Sequence, residues 1–265
     1  MCFIVFEWQP AERRLTLASN RDEFYARPTS PAHFWREQDH PEVLAGRDER
    51  GGGTWMGVTR SGRWAALTNV REPDRHVDDA PSRGALVADF LRGEATPQAY
   101  AHHIAERGAR YNGFNLLLGH VDQDKATLWY VSNRIDPPRR LGRGRYGLSN
   151  ATLDTPWPKV VRGKAHLARV LDLQRAPRDA AVADALLAAL ADGTRAPDAA
   201  LPDTGVGRDW ERRLSPIHIA SAAYGTRAST VLQIDRSHIR FDEQTFGAAG
   251  PIGTPRRFRF DWAAR

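Results

Sequence analysis

The stretch Cys2-Phe3-Ile4-Val5-Phe6-Glu7-Trp8, the turn Pro10-Ala11-Glu12-Arg13 and the return Arg14-Leu15-Thr16-Leu17-Ala18-Ser19 decide how the chain is read. Aromatic and β-branched residues with no helical period mark strands. Two such runs around a proline-led turn make a hairpin, which ends at Asn20-Arg21-Asp22-Glu23. Outward from it, residues 28–50 carry proline, histidine and charge and read as a loop. Gly51-Gly52-Gly53 permits a tight turn or a close backbone approach. Residues 54–59 and 63–69 read as a second hairpin around Ser61-Gly62.

Ser82 is a candidate N-cap for a helix that carries Leu86 and Phe90 on one face up to Gly93. Thr96 followed by Pro97 starts a second helix, to about residue 107. Strands return at 114–121, 127–132 and 146–149, and helices at about 159–173 and 178–191. Strands close the chain at 217–220, 229–234, 238–242 and 256–262. Blocks of strands separated by helix pairs predict an α+β fold of antiparallel sheets with helices outside, not the strict alternation of a Rossmann fold. No repeat or linker divides the chain, so residues 1–265 are expected to form one domain.

The 265 residues, 41% hydrophobic and 26% charged, match an ordinary globular core. The net charge of +6 comes from arginine, because lysine occurs only at 125, 159 and 164. The basic residues are interspersed with acids, as in Arg47-Asp48-Glu49-Arg50, with no groove-reading or base-stacking motif. No nucleic-acid partner is expected. A GKS or GKT P-loop, HExxH and GxSxG are absent. A single cysteine allows neither an internal disulfide nor a thiolate zinc site, and His102 and His103 face different directions on a helix. No bound metal or cofactor is therefore expected. The apolar start ends at Glu7, without a basic segment before it or a cleavage site after it. No run approaches the roughly 20 residues that span a bilayer. A soluble, cytoplasmic protein is the expectation.

Cys2 directly follows the initiator methionine. Methionine removal is efficient before a small residue, and would leave a thiol and an α-amine on one residue. An amine with a pKa near 8 is partly neutral at cellular pH and can take the thiol proton. The same position also suits a small residue packed at the start of a strand, since free cysteine is among the most buried types. If the hairpin pairs in register, Asn20-Arg21-Asp22-Glu23 lies beside the amino terminus. A carboxylate there would hold the ammonium, and an arginine would stabilise a thiolate. A salt-bridged turn would use the same residues.

Seven segments in order resemble the NRDE family: MCxxxF at the start, ASNRDEF at 18–24, GGGTWMGV at 51–58, ALTNVRE at 66–72, GFNLLLG at 113–119, GLSNATLDTPWPK at 147–159 and YGTRASTVL at 224–232. That family includes the transport and Golgi organisation protein 2 homologues of animals and many bacterial proteins. The resemblance runs from Met1 to about Ile234 and implies a four-layer αββα Ntn-hydrolase-like sandwich. More distantly, the chain is similar to cysteine amidohydrolases of the penicillin V acylase and bile-salt hydrolase type. That similarity implies Cys2 as nucleophile and Asp22 as the aspartate that holds the amine. It also implies Asn69 and Asn150 as two site asparagines, the first helping to form an oxyanion hole, and Arg227 as a late arginine. The acylases carry their early arginine three residues before the aspartate, where this chain has Ser19. Arg21 stands next to Asp22 instead, on the opposite face of a strand. Asn20, Arg21, Gly53 and Trp55 are candidate substrate contacts, the last two in a glycine-rich segment that lines a channel or simply turns into a strand.

Two functions follow from the resemblance. One is an N-terminal-nucleophile hydrolase acting on an amide or thioester through a covalent acyl-enzyme. The other keeps the fold without the chemistry: the family's association with haem trafficking and acyl-CoA homeostasis implies carriage of a hydrophobic, anionic ligand such as haem.

Overall fold

Residue parity along the first hairpin sets the layers. The computed structural model describes residues 2–122, 124–173 and 180–261. Strand β1 (Cys2–Gln9) pairs antiparallel with β2 (Arg14–Phe24), placing Ile4 opposite Ser19 and Cys2 opposite Arg21. Ile4, Phe6, Trp8, Leu15 and Leu17 enter one core, while Phe3, Val5 and Ala18 enter another. Both faces of this hairpin are buried, which explains its nearly continuous apolar sequence.

The first sheet is completed by β10 (Gly144–Leu148), β11 (Tyr224–Ile234), β12 (His238–Gly247) and β13 (Gly250–Asp261), in the order β10-β1-β2-β11-β12-β13. The second contains β3 (Thr29–Trp35), β4 (His40–Asp48), β5 (Met56–Thr59), β6 (Arg63–Asn69), β7 (Phe114–Val121), β8 (Ala126–Ser132) and β9 (Ile135–Arg140), paired in chain order. Every pairing is antiparallel. Between the sheets, Ile4, Phe6 and Leu17 meet Val58, Trp64, Leu117 and Tyr130. Outside the second sheet, α1 (Gly84–Arg92) and α2 (Pro97–Arg107) pack Leu86, Phe90 and Ile104 onto Leu116, Leu118 and Val131. Outside the first, α3 (Pro158–Leu173) and α4 (Ala180–Leu190) pack Leu167 and Leu186 onto Phe3, Val5 and Val231. Burying each such side chain stabilises the fold by about 1.5–3 kcal/mol, so three separate apolar layers fix the helix–sheet–sheet–helix order. This is the expected αββα architecture.

The middle layer is tight where β6 meets β7. Gly119 lies opposite Trp64, and a Cβ on it would stand 2.1 Å from the indole Nε1. The glycine that closes GFNLLLG makes room for a fully buried tryptophan.

The structure corrects several local expectations. Residues 28–50 are not a loop: they form β3 and β4, with Ala32, Val43, Leu44 and Ala45 buried. Pro31 masked β3, and Pro137 and Pro138 masked β9, which was not anticipated. Both are the outermost strands of the second sheet, where a missing N–H is tolerated. Helix α1 begins at Gly84 without a side-chain cap, while Thr96 caps α2 by accepting from the Ala99 N–H. Residues 217–220 do not form a strand beyond one bridge from Ala220 to Gly225. Their backbone groups are taken by Asn20, Thr226 and Asp192. A short helix α5 (Arg208–Leu214) was also unanticipated. Residues 178, 179 and 262, expected to begin a helix and to end a strand, lie outside the described residues.

Gly142–Gly147 has the G-x-G-x-x-G spacing but runs into strand β10, so it presents no helix N-terminus to a phosphate. Among the described residues, no helix is long and apolar enough to cross a membrane.

Candidate active site

Cys2 stands at the start of a central strand, with β10 on one side and β2 on the other. Its parity with Ile4 and Phe6 turns the side chain toward the inter-sheet layer. It is 7% exposed and lines a cavity of about 710 Å³ at the end of the sandwich. Arg21, directly across the pair, shares its face. The Arg21 guanidinium stacks 4.5 Å from the Trp55 ring and reaches Thr29 Oγ1 at 3.2 Å and Asp48 Oδ2 at 3.4 Å.

Asp48 organises this wall. It accepts from Arg27 Nε at 2.8 Å and from the Gly51 N–H at 3.0 Å. Burial pulls its pKa up, but the hydrogen bonds from Arg27 and Gly51 outweigh that and hold it below the usual carboxylate range. Gly51 and Trp55 line the cavity, whereas Gly53 packs against the start of α1. A Cβ on Gly53 would lie 2.3 Å from the Gly84 carbonyl carbon, so close backbone approach explains that glycine. Arg83 also faces the cavity and donates to the Gly113 carbonyl at 2.9 Å. Burial lowers the Arg83 pKa, opposed by the nearby Cys2 and Glu23.

The two asparagines come together beside Cys2. Asn69 ends β6 and lines the cavity, and Asn150 follows β10. Asn150 Nδ2 donates to the Asn69 carbonyl at 2.9 Å, while Ser149 Oγ donates to the Cys2 carbonyl at 3.3 Å. One short segment thus ties the two sheets together at the nucleophile end.

Asn20 and Asp22 lie on the other face of β2. Asn20 donates to the Leu190 and Ile217 carbonyls at 2.9 and 2.8 Å and accepts from Ser229 Oγ at 2.6 Å. It anchors β2 to the helix layer and does not line the cavity. Asp22 is fully buried and accepts from Thr226 Oγ1 at 2.7 Å. Burial pushes its pKa up, and Lys159 pulls it back. Arg227 sits at the bulge between Thr226 and Ala228. Its Nη1 donates to the carbonyls of Phe24, Tyr25 and Arg27, each at 3.0 Å. The structure therefore places Arg227 as a clamp on the chain leaving β2, outside the cavity wall.

Sequence reasoning missed Arg83, Lys159 and the buried Arg71–Glu211 ion pair at 2.5 Å. Arg71 and Lys159 belong to the quoted motifs ALTNVRE and GLSNATLDTPWPK, so their signal was present but carried no residue-level meaning. Burial raises the Cys2 pKa, with Asp22 and Glu23 adding to it and Arg21 opposing. Cys2 therefore rests as a thiol at neutral pH and needs a base to react. Among the described residues, no group of three His, Cys, Asp or Glu side chains is placed to hold a metal ion.

Comparison with known proteins agrees with this frame. The Transport and Golgi organisation 2 homologue of Bos taurus is 39% identical over 270 residues, covering 95% of each chain. The Drosophila melanogaster protein is 31% identical, covering 96% of this chain and 95% of its own. Among solved structures, a Caenorhabditis elegans N-acylethanolamine-hydrolyzing acid amidase ortholog superposes with a TM-score of 0.51 at 11% identity, over 87% of this chain and 92% of its own. That likeness shows a shared Ntn-hydrolase fold. The profile of the Transport and Golgi organisation 2 family matches residues 1–248, and the chain belongs to that family.

Proposed function

We propose that the protein is an N-terminal-nucleophile cysteine hydrolase that cleaves an amide or thioester bond. The observation that carries this reading is Cys2 itself, the sole cysteine, at the start of β1 in a cavity wall with Asp22 behind it and Asn69 and Asn150 beside it. After removal of Met1, the α-amine of Cys2 takes the thiol proton as Sγ attacks the substrate carbonyl. Asn69 supports the oxyanion, and Asp22 holds the amine in place. The amine then delivers the proton to the leaving nitrogen or sulfur, leaving an acyl thioester on Cys2. Water attacks that carbonyl, loses its proton to the same amine, and the thiol is restored as the acid departs. Arg21 and Arg83 flank the thiol with positive charge, which favours the anionic sulfur during attack. A screen of amide and thioester substrates, with trapping of the acyl-enzyme by mass spectrometry, tests this. Turnover unchanged in Cys2→Ala would sink it.

A second reading is carriage of an anionic ligand in the same cavity. It is favoured by Arg50 and Arg83, which line the wall and have no carboxylate partner among the described residues. Such guanidinium groups suit a phosphate or a haem propionate. Carriage predicts an absorbance shift when haem is titrated in and no adduct on Cys2. A flat titration would count against haem as the cargo.

A further inference from the structure

The connection from β6 to α1 runs along the cavity that holds Cys2, and the proposed chemistry gives its middle, residues 73–81, no task. His76, Asp78, Ala80 and Pro81 share that cavity's wall with Cys2. Both ends of the connection are fixed. Arg134 Nε stands 2.8 Å from Glu72 Oε2, and Arg83 Nη1 donates to the Gly113 carbonyl at 2.9 Å. The same carbonyl accepts from the Val70 N–H at 2.8 Å. Between these ends residues 73–79 are exposed, with Pro73 and Asp74 lying beside Gly205. Their backbone bonds are local turns, from Arg75 to Glu72, His76 to Pro73 and Ala80 to Val77. Among the described residues, the hydrogen bonds that join 73–81 to a distant part of the chain come from one side chain, Asn112. Its Nδ2 donates to the Val77 carbonyl and its Oδ1 accepts from the Val77 N–H, both at 2.8 Å.

Asn112 stands on a fixed post. Asn133 Nδ2 donates to the carbonyls of Gly108 and Tyr111 at 2.9 and 3.0 Å, and its Oδ1 accepts from the Phe114 N–H at 2.9 Å. Next to Asn112, a Cβ on Gly113 would lie 2.2 Å from Glu72 Oε1, so the post and the start of the connection are closely packed. The exposed segment is therefore held at its middle by two bonds that water can replace at small net cost. Segments with few buried apolar contacts and solvent-exposed hydrogen bonds are the first to open. We propose that residues 73–81 are a lid on the Cys2 cavity and that Asn112 is its latch, a specificity-determining residue that sets the size of molecule able to reach the thiol. Lids of this kind open to admit a ligand and close to exclude water from it. The inference concerns access to Cys2 and holds whether Cys2 turns over a substrate or only lines a ligand cavity.

Cys2 is the sole cysteine, so its alkylation in the full-length protein reports access directly. N-ethylmaleimide and the bulky N-pyrenylmaleimide are compared, each rate normalised to that of the same reagent with glutathione. In wild type the normalised rate of the pyrenyl reagent should lag by about tenfold or more, as expected for a gate held by two hydrogen bonds. Equal normalised rates would overturn the lid. Asn112→Ala should speed the pyrenyl reagent by about tenfold and N-ethylmaleimide by less than about twofold. An unchanged pyrenyl rate, or an equal rise for both reagents, would overturn the latch. Hydrogen exchange separates an opened lid from general loosening. In Asn112→Ala the Val77 amide should exchange as fast as that of Asp78, with the amides of β6 and α1 unchanged. Val77 protected as in wild type would likewise overturn the latch. If these results hold but no substrate turns over, the hydrolase reading fails and the lid stands.

Discussion

On one face of β2, Arg21 stacks on Trp55 and shares Asp48 with Arg27 at the wall of an open cavity. On the other face, one residue along, Asp22 borders the cavity with its side chain fully buried, and Lys159 in the first turn of α3 is buried as well. The first set borders the cavity, and its two arginines are held by one shared carboxylate, with Arg27 and Asp48 partly exposed and Arg21 buried. The second set is enclosed by the fold: Asp22 accepts from Thr226 Oγ1 at 2.7 Å, and the buried Lys159 Nζ has no hydrogen-bond partner among the described residues. The two kinds of environment lie one residue apart because a strand sends successive side chains to opposite sides. Cys2 takes its positive neighbour, Arg21, from the open face and its carboxylate, Asp22, from the enclosed one.

The largest effect expected from breaking this arrangement is at Cys2. Cys2→Ala should lower turnover by on the order of 10⁴-fold or more, as loss of a nucleophile does in triad hydrolases, with unchanged thermal stability. Wild-type turnover in that variant would move the chemistry away from the cavity face altogether.

On the enclosed face, the sharper test is pH. The folded-state pKa of Lys159, about 8, lies below its ordinary value of 10.5. Between these values the unfolded chain binds more protons than the folded one, so folding stability attributable to this group rises with pH across that window. The gain is about 3 kcal/mol in order of magnitude, and below pH 8 the penalty is constant. Denaturant unfolding of wild type and Lys159→Met from pH 7 to 10.5 should show the difference between them changing by that amount. Parallel curves would mean the lysine is solvated.

Gly53→Ala should destabilise by about 1–3 kcal/mol in thermal or denaturant unfolding, since its methyl group collides with rigid backbone at Gly84 rather than with a movable side chain. An unchanged midpoint would mean that the cavity floor is slack. The smallest expected effect on chemistry is at Arg227. Arg227→Met should cost about 1–3 kcal/mol of stability through the three carbonyl hydrogen bonds it removes, although Phe24 and Arg27 keep other donors, while kcat of the folded protein changes less than about threefold. A large loss of kcat with intact folding would restore Arg227 to the reaction.

Much of this was legible in the sequence, for physical reasons that can be named. The hairpin of β1 and β2 was visible because both its faces are apolar, and the Cys2–Arg21 neighbourhood followed from its turn length. Asn69 and Asn150 were named from the family resemblance, not from local pattern; the structure puts Asn69 at the end of β6 and Asn150 just past β10. The edge strands β3 and β9 were not visible, since their prolines violate strand composition and are tolerated only where no neighbour pairs beyond. The burial of Lys159 could not be seen either. A lysine in the first turn of a helix ordinarily faces water, and its burial follows from how α3 packs onto β1, β10 and α4 in the folded chain. Arg227 misled for a related reason: the bulge beside it turns the side chain out of the alternation that the strand would otherwise impose.

The central claim, that Cys2 is a terminal nucleophile, is tested most directly by the intact mass of the purified, untagged protein. The account predicts a chain one methionine lighter than its gene sequence, beginning with Cys2 and a free amine. A mass that retains Met1 in otherwise native protein would contradict it, because the base required by the thiol would then belong to a different residue.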